Sequence, residues 1–318
     1  MNRATGIHLS SRTIRLVTLD GSPSDCRLCA LVQAPLPVPF VPETLLSEQA
    51  RQRLARGIAE AIGNDRDARG RTTASLGGGL FQIQKVPLEV AAEEDRRNQV
   101  AWEVSQALIS PAEDYIVDCH PAGRAAFWVA VRRTVAGLCT RLYESASIPV
   151  DGFEVDPIAL FRACIMARHG DSGRNGAILL GAPWLSFVAV DDGDLVAAET
   201  VRTDSCAVSP NHAETDAQDL QAARDVVRRW VYGDLSSDRR RMTYQHVSLC
   251  GDQDDIRSLI HGLQASVPPN LAPLQPFSDC NTDHLPETQR ALLPDQSAFG
   301  VAAGLAYHGL RSEATSAA

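Results

Sequence analysis

The sequence predicts an α/β protein of two lobes about a central cleft. Three observations carry this. Each half opens on a β-meander with glycine-bearing turns, the first from Gly6 and the second from Ala177. Each meander leads into segments whose apolar residues recur every three or four positions, the period of a helix with one buried face. Between the halves stands Asp171-Ser172-Gly173-Arg174-Asn175-Gly176, a run of turn-forming residues. The repeated order βββαβα is that of a duplicated α/β domain, and ligands often lie in the cleft between two such copies.

The first half begins with strands over Gly6 to Leu9 and Thr13 to Leu19 around a polar turn at Ser10-Ser11-Arg12, with Asp20-Gly21 as the next turn. Pro35, Pro37, Pro39 and Pro42 exclude a central strand there, because each proline lacks a ladder donor. From Glu43 to Ile62, Leu46, Ala50, Leu54, Ile58 and Ile62 form one helical face. Strands follow over Thr72 to Leu76 and Leu80 to Val86, around Gly77-Gly78-Gly79. That glycine run precedes a strand rather than a helix, so it reads as a turn and not as a phosphate cradle. A helix over Ala91 to Leu108 points Val100, Val104 and Leu108 inward. Strands Tyr115 to His120 and Ala125 to Val131 lead to a helix over Val135 to Ala146, which buries Val135, Leu138 and Leu142. After a strand over Val150 to Val155, Asp156 suits an N-cap and Pro157 a first turn, with Ile158, Phe161 and Ile165 as the buried stripe.

In the second half, Ala177 to Leu180, Ser186 to Val190 and Leu195 to Val201 form the meander, with Asp191-Asp192-Gly193 as its last turn. A helix over Asp216 to Tyr232 buries Leu220, Ala223, Val227 and Trp230 with Val231. A short strand, Val247 to Cys250, and a helix, Asp254 to Leu263, come next. A proline-rich stretch from Pro268 to Pro294 precedes a small-residue helix over Ala298 to Tyr307. The lobes are expected over residues 1–170 and 171–311, with a disordered tail at 312–318.

Composition narrows the function. The chain has 318 residues, 44% of them hydrophobic, which is enough for two cores. The longest apolar stretch, Gly176 to Val190, contains Gly181 and Pro183 and falls short of the roughly 20 residues that span a membrane. Met1-Asn2-Arg3-Ala4-Thr5 has no apolar run behind its charge, so no secretory leader is expected. A net charge of -9 argues against nucleic-acid binding. Lys85 is the one lysine available for Schiff-base chemistry. Eight cysteines are too sparse for a disulfide framework, so reduced thiols are expected. Cys26 and Cys29 have CxxC spacing, but no second pair completes a zinc site and no βαβ context supports a redox role. Gly-x-Ser-x-Gly, P-loop and HExxH patterns do not occur. His212 and Glu214 sit in a polar loop without partners in spacing, so neither is assigned to a metal. Arg239-Arg240-Arg241 reads as a solvated run that could meet anionic headgroups.

Five segments together resemble a known family. They are Gly6 to Val17, Trp102-Glu103, Asp114 to Asp118, Tyr143 to Leu160 and Phe299 to Ala306. In order and spacing they are similar to the type IV pilus assembly protein PilM, a member of the actin-like ATPase superfamily. The MSHA-pilus protein MshI and the cytoplasmic part of the type II secretion protein GspL fit nearly as well. The resemblance implies a duplicated actin-like (ASKHA) fold with a small inserted subdomain over about 72–155. It also implies a cytoplasmic protein on the face of the inner membrane. Such a protein binds the N-terminal cytoplasmic tail of a bitopic, PilN-like partner and connects it to the assembly motor.

In such folds tight turns offer backbone N–H groups to phosphates, and an Asp holds the water shell of Mg²⁺. The resemblance maps these turns onto Gly6, His8, Ser10, Ser11 and Thr13, onto Gly181, and onto Gly251. Each departs from the family. His8 replaces the first Asp and Ser10 the first Gly; Leu179 replaces the second Asp, with Pro183 and Trp184 beside it; Gly251-Asp252-Gln253 replaces a run of three glycines. A neutral imidazole does not substitute for a carboxylate toward hydrated Mg²⁺, and proline removes a donor. The expectation is no catalytic residue, no cofactor, ATP with Mg²⁺ at most weakly bound, and a scaffold whose partner anchors beside Trp102 and Glu103. The competing readings are an actin-like kinase or ATPase, a filament protein of the ParM or FtsA type, and a GspL-like secretion component.

Overall fold

The computed structural model describes residues 2–63, 70–88, 93–122, 125–167, 173–181, 183–203, 224–230, 244–263 and 271–316. His212, Glu214, Arg239, Arg240, Arg241 and most of the helix expected over Asp216 to Tyr232 lie outside the described residues.

Two five-stranded sheets repeat one plan. In the first, β1 (Arg3–Leu9), β2 (Thr13–Ser22) and β3 (Asp25–Pro35) form an antiparallel meander, and β4 (Arg71–Leu76) and β8 (Gly152–Val155) add in parallel on the β1 side. In the second, β9 (Arg174–Gly181), β10 (Trp184–Asp191) and β11 (Asp194–Arg202) form the meander. β12 (His246–Cys250) and β13 (Leu271–Pro273) add in parallel beside β9. Both orders are thus third, second, first, fourth, fifth. A smaller sheet, β5 (Phe81–Pro87), β7 (Ala125–Arg132) and β6 (Tyr115–Ala122), is inserted between β4 and β8.

The helices are α1 (Pro42–Leu46), α2 (Glu48–Ile62), α3 (Glu93–Ala107), α4 (Arg133–Ser145), α5 (Asp156–Ala167), α6 (Gln253–Leu263), α7 (Glu287–Arg290) and α8 (Gly300–Ser316), and residues 224–230 are also helical. α5 is buried on nearly every side, between α8 and the second sheet. α5 and α8 cross at Gly304, where a Cβ would stand 1.9 Å from the Ala159 carbonyl oxygen, so only glycine fits. Val100 and Val104 of α3 are buried against Val86, Ala126 and Trp128, the face that their spacing predicts.

Several expectations are corrected. The second turn is not at Asp20-Gly21. Gly21 stays in β2, at φ 110°, opposite Cys26, and the chain reverses at Pro23-Ser24 into β3, a strand that the sequence reading left unassigned. Of the four prolines only Pro35 lies in β3, at its end, and β3 is outermost in its sheet, so no central strand runs through the stretch. The helix expected from Glu43 breaks at Ser47, whose Oγ accepts from Ala50 N. Leu45 is therefore buried and Leu46 is 74% exposed. The final helix runs on to Ser316, past the Arg311 where a tail was expected. Asp156 is the first residue of α5 rather than the residue before it, and its Oδ1 has no hydrogen-bond partner among the described residues. Cys26 is not a reduced thiol: it is bonded to Cys280, 254 residues away, with Cα atoms 5.2 Å apart. No periodicity could have shown that pairing.

Candidate functional site

A cavity of about 640 Å³ lies between the lobes. The β1–β2 turn supplies His8, Ser10, Ser11 and Thr13. The β9–β10 turn supplies Gly181, Pro183 and Trp184, and the end of β12 supplies Gly251 and Asp252. Six of the seven residues mapped onto nucleotide turns therefore line one cleft. Gly6 does not. It lies under α8, where a Cβ would come 2.0 Å from the Ala302 carbonyl oxygen, so its glycine serves helix packing.

The floor of the cleft is a buried pair. His8 Nε2 stands 3.9 Å from Asp156 Oδ2, with both side chains almost wholly out of solvent. Burial, with the Arg15 charge adding, drives His8 down from 6.5 to about 3, so the imidazole is neutral. Burial pushes Asp156 up from 3.8 to about 7, with only partial relief from the Ser75 hydroxyl. Among the described residues His8 Nδ1 and Asp156 Oδ1 have no hydrogen-bond partner. Asp156 enters the site from α5, and its one signal in the sequence is an Asp-Pro opening so apolar a helix.

Three of the backbone donors in these turns are used internally. Ser10 N donates to Thr13 O at 2.9 Å, and Thr13 N donates to Ser10 Oγ at 3.0 Å. Gly251 N donates to Ser297 O at 3.2 Å, and Thr203 N to Pro183 O at 2.7 Å. Leu179, at the position of the family's second Asp, is buried.

Two contacts pin the lobes across this cleft. Trp184 lies against the Gly77-Gly78-Gly79 turn: a Cβ on Gly78 would stand 2.4 Å from its Cγ, and one on Gly79 would stand 2.8 Å from its Cζ2. The indole thus occupies the volume that side chains there would take. Arg15, buried in β2, pairs with Asp252 from the second lobe and donates from Nε to Gln33 Oε1 at 3.2 Å. Further out, Lys85 Nζ of β5 donates to the Val196 carbonyl oxygen of β11 at 2.7 Å.

Trp102 and Glu103 are not in the cleft. They stand on α3 of the inserted subdomain, Trp102 61% exposed and Glu103 half-buried. Trp102 is therefore not a core residue. Ile109 at 86%, Ile116 at 46% and Val117 at 39% are exposed in the same subdomain, and Glu113, Asp114 and Asp118 are exposed among them. β6, which carries Ile116 and Val117, is an outer strand of its sheet. No helix among the described residues is long and apolar enough to cross a membrane.

No protein-family model and no curated protein matches the sequence. Solved structures do match. A chain of the PilM-PilN type IV pilus biogenesis complex aligns at TM-score 0.74 and 19% identity, over 96% of this chain and 98% of that one. A protein of unknown function with an actin-like ATPase fold, from Bacteroides thetaiotaomicron, aligns at TM-score 0.51 and 14% identity, over 92% and 96%. The chain therefore has the actin-like ATPase fold, two α/β lobes about a cleft with a small inserted subdomain, and along nearly its whole length it shares that fold with a chain of the PilM-PilN pilus complex.

Proposed function

We propose that this chain is a non-catalytic actin-like scaffold of a type IV pilus assembly machine. It sits on the cytoplasmic face of the inner membrane and binds the N-terminal tail of a bitopic, PilN-like partner. The observation that carries the non-catalytic reading is the pinned cleft. Trp184 fills the space over Gly78 and Gly79, Asp252 is engaged by Arg15, and the N–H groups of Ser10, Thr13 and Gly251 donate within the protein. A nucleotide would have to displace the indole and find new phosphate donors. A metal would find a neutral imidazole where hydrated Mg²⁺ requires a carboxylate. These residues do not fit ATP with Mg²⁺.

The docking place in this reading is the exposed face of the inserted subdomain. Trp102 and Ile109, with Val117 on the α3 side of the small sheet, offer apolar contact, and the carboxylates of Glu113 and Asp114 nearby in the chain favour a tail with basic residues. Large aromatic side chains dominate such interfaces because they bury much area at little entropy cost. The test is a calorimetric titration with a synthetic copy of the partner's cytoplasmic tail. Trp102→Ala should weaken binding by about 2 kcal/mol with an unchanged melting temperature. Undiminished affinity in that variant would remove Trp102 from the interface.

A further inference from the structure

The chain between the second sheet and α8 does not take the short way. It leaves β13, where Leu274 N donates to Leu249 O at 2.7 Å, and crosses to the outer edge of the first sheet. There Phe277 and Leu285 are buried with Val17, Leu19, Leu28 and Leu31. Asn281 N donates to Cys26 O at 3.1 Å, Leu28 N donates to Asn281 O at 3.0 Å, and Leu31 N donates to Gln289 Oε1 at 3.0 Å. The segment then returns past Ser297, which donates to the Gly251 carbonyl oxygen, and enters α8. It is a strap from the second lobe laid over the open edge of β3. The Cys26–Cys280 bond joins strap and strand at the point of closest pairing, beside Arg27 and Asn281.

We propose that Cys26 and Cys280 are a thiol–disulfide switch that fastens this strap, and through it the second lobe, to the edge of the first sheet. The two sulfurs differ in access. Cys26 is buried, while Cys280 is half-buried on a segment whose neighbours Ser278, Asp279 and Asn281 are exposed. A small thiolate therefore attacks Cys280 Sγ. The S–S bond breaks, Cys26 leaves as thiolate and takes a proton from solvent, and a second small thiol releases Cys280. The sum is one protein disulfide and two small thiols giving two protein thiols and one small disulfide; closure is the reverse, with a low-molecular-weight disulfide as oxidant. The open form retains a fold because Phe277, Leu285 and the backbone bonds to β3 do not depend on the sulfurs. What it loses is the covalent hold on an outer strand, where local opening is least opposed. This is independent of what the cleft or the inserted subdomain binds.

The test uses the full chain in oxidised and reduced glutathione, read by peptide mass mapping without reduction and by amide hydrogen exchange. In the oxidised buffer the peptides holding Cys26 and Cys280 should be recovered linked, and reduced glutathione should separate them. Reduction should speed exchange at Leu28, Leu31 and Asn281 by about tenfold or more, and leave β1 and β4 unchanged. The double variant Cys26→Ser/Cys280→Ser should match the reduced protein in both buffers. Failure of the two peptides to link in oxidised glutathione would overturn the proposal. So would strap amides that exchange equally in both buffers, or a reduced protein whose whole first sheet opens, since the bond would then be a fixed structural support.

Discussion

His8 and Asp156 are each displaced from their ordinary protonation range by the same cause, burial, and in opposite directions. His8 stays neutral in the folded chain down to about pH 3, whereas its unfolded form takes up a proton below 6.5. The stability it contributes is present above 6.5 and is lost as pH falls toward 3. Asp156 keeps its proton up to about pH 7 in the folded chain and only to 3.8 when unfolded. Its contribution is present below 3.8 and is lost as pH rises through 7. Between about pH 4 and 6.5 the two slopes, each at most about 1.4 kcal/mol per unit, oppose one another. Asp156→Asn should therefore unmask the His8 slope, so that relative to the parent the variant loses stability on acidification below 6.5. His8→Gln should do the reverse and lose stability from pH 4 to 7. Urea unfolding at closely spaced pH values reads both; parallel curves for parent and variants would show that the pair does not titrate as its burial requires. The same residue carries a second expectation. His8→Asp restores one carboxylate but leaves Pro183, Trp184 and the self-bonded Ser10–Thr13 turn in place. It should give no thermal shift with ATP and Mg²⁺, and a clear shift would mean that the turn is open to phosphate.

Among the elements, the turn from β4 to β5 and the turn from β9 to β10 are fitted to each other. Gly78 has no positive φ, so alanine there suffers no backbone strain. Its cost is steric, because the new Cβ would stand 2.4 Å from Trp184 Cγ. Overpacking of this kind costs about 1 to 3 kcal/mol. If Trp184 is the obstacle, Gly78→Ala in a Trp184→Ala background should cost at least about 1 kcal/mol less than in the parent, since neighbours that share a space do not add. Equal costs in the two backgrounds, measured by urea unfolding, would show that the turns are not in contact. This fit also explains two of the three glycines that precede β5: Gly78 and Gly79 make room for an indole from the other lobe, while Gly77 faces Asp156.

For the whole molecule, the two lobes repeat one sheet order and are joined where α5 crosses α8 at Gly304. Across the cleft, Trp184 reaches the turn of the first lobe and Arg15 pairs with Asp252 of the second. The expected outcome is that the purified chain hydrolyses no ATP above background with Mg²⁺. Phosphate release that follows the protein peak through gel filtration and vanishes in Ser11→Ala would reverse the reading. If the bridged cleft takes no nucleotide, the outer surfaces carry the function, and four of the five large hydrophobic side chains exposed among the described residues, Trp102, Ile109, Ile116 and Val117, belong to the inserted subdomain.

The sequence by itself determined the local periods and, β3 and β13 aside, the order of the strands. Alternation and turn residues placed β1, β4, β5, β7 and the second meander, and the helical stripe placed Val100 and Val104 inward. It also showed the substitutions at His8, Leu179 and Pro183, because a missing carboxylate or N–H is a property of the residue type. Tertiary structure decided everything that depends on residues far apart in the chain. Gly6 was legible as a glycine but not as the seat of α8, since the atom that requires it belongs to Ala302. Asp156 looked like a cap because its sequence neighbours suit one, whereas its protonation is set by burial beside His8, nearly 150 positions earlier. Arg15 finds Asp252, Trp184 finds Gly78, and Cys26 finds Cys280 only once two lobes and a strap have been brought together. Local pattern reports which face of an element is apolar; which partner covers that face is a matter of packing geometry, and no period in the chain encodes it.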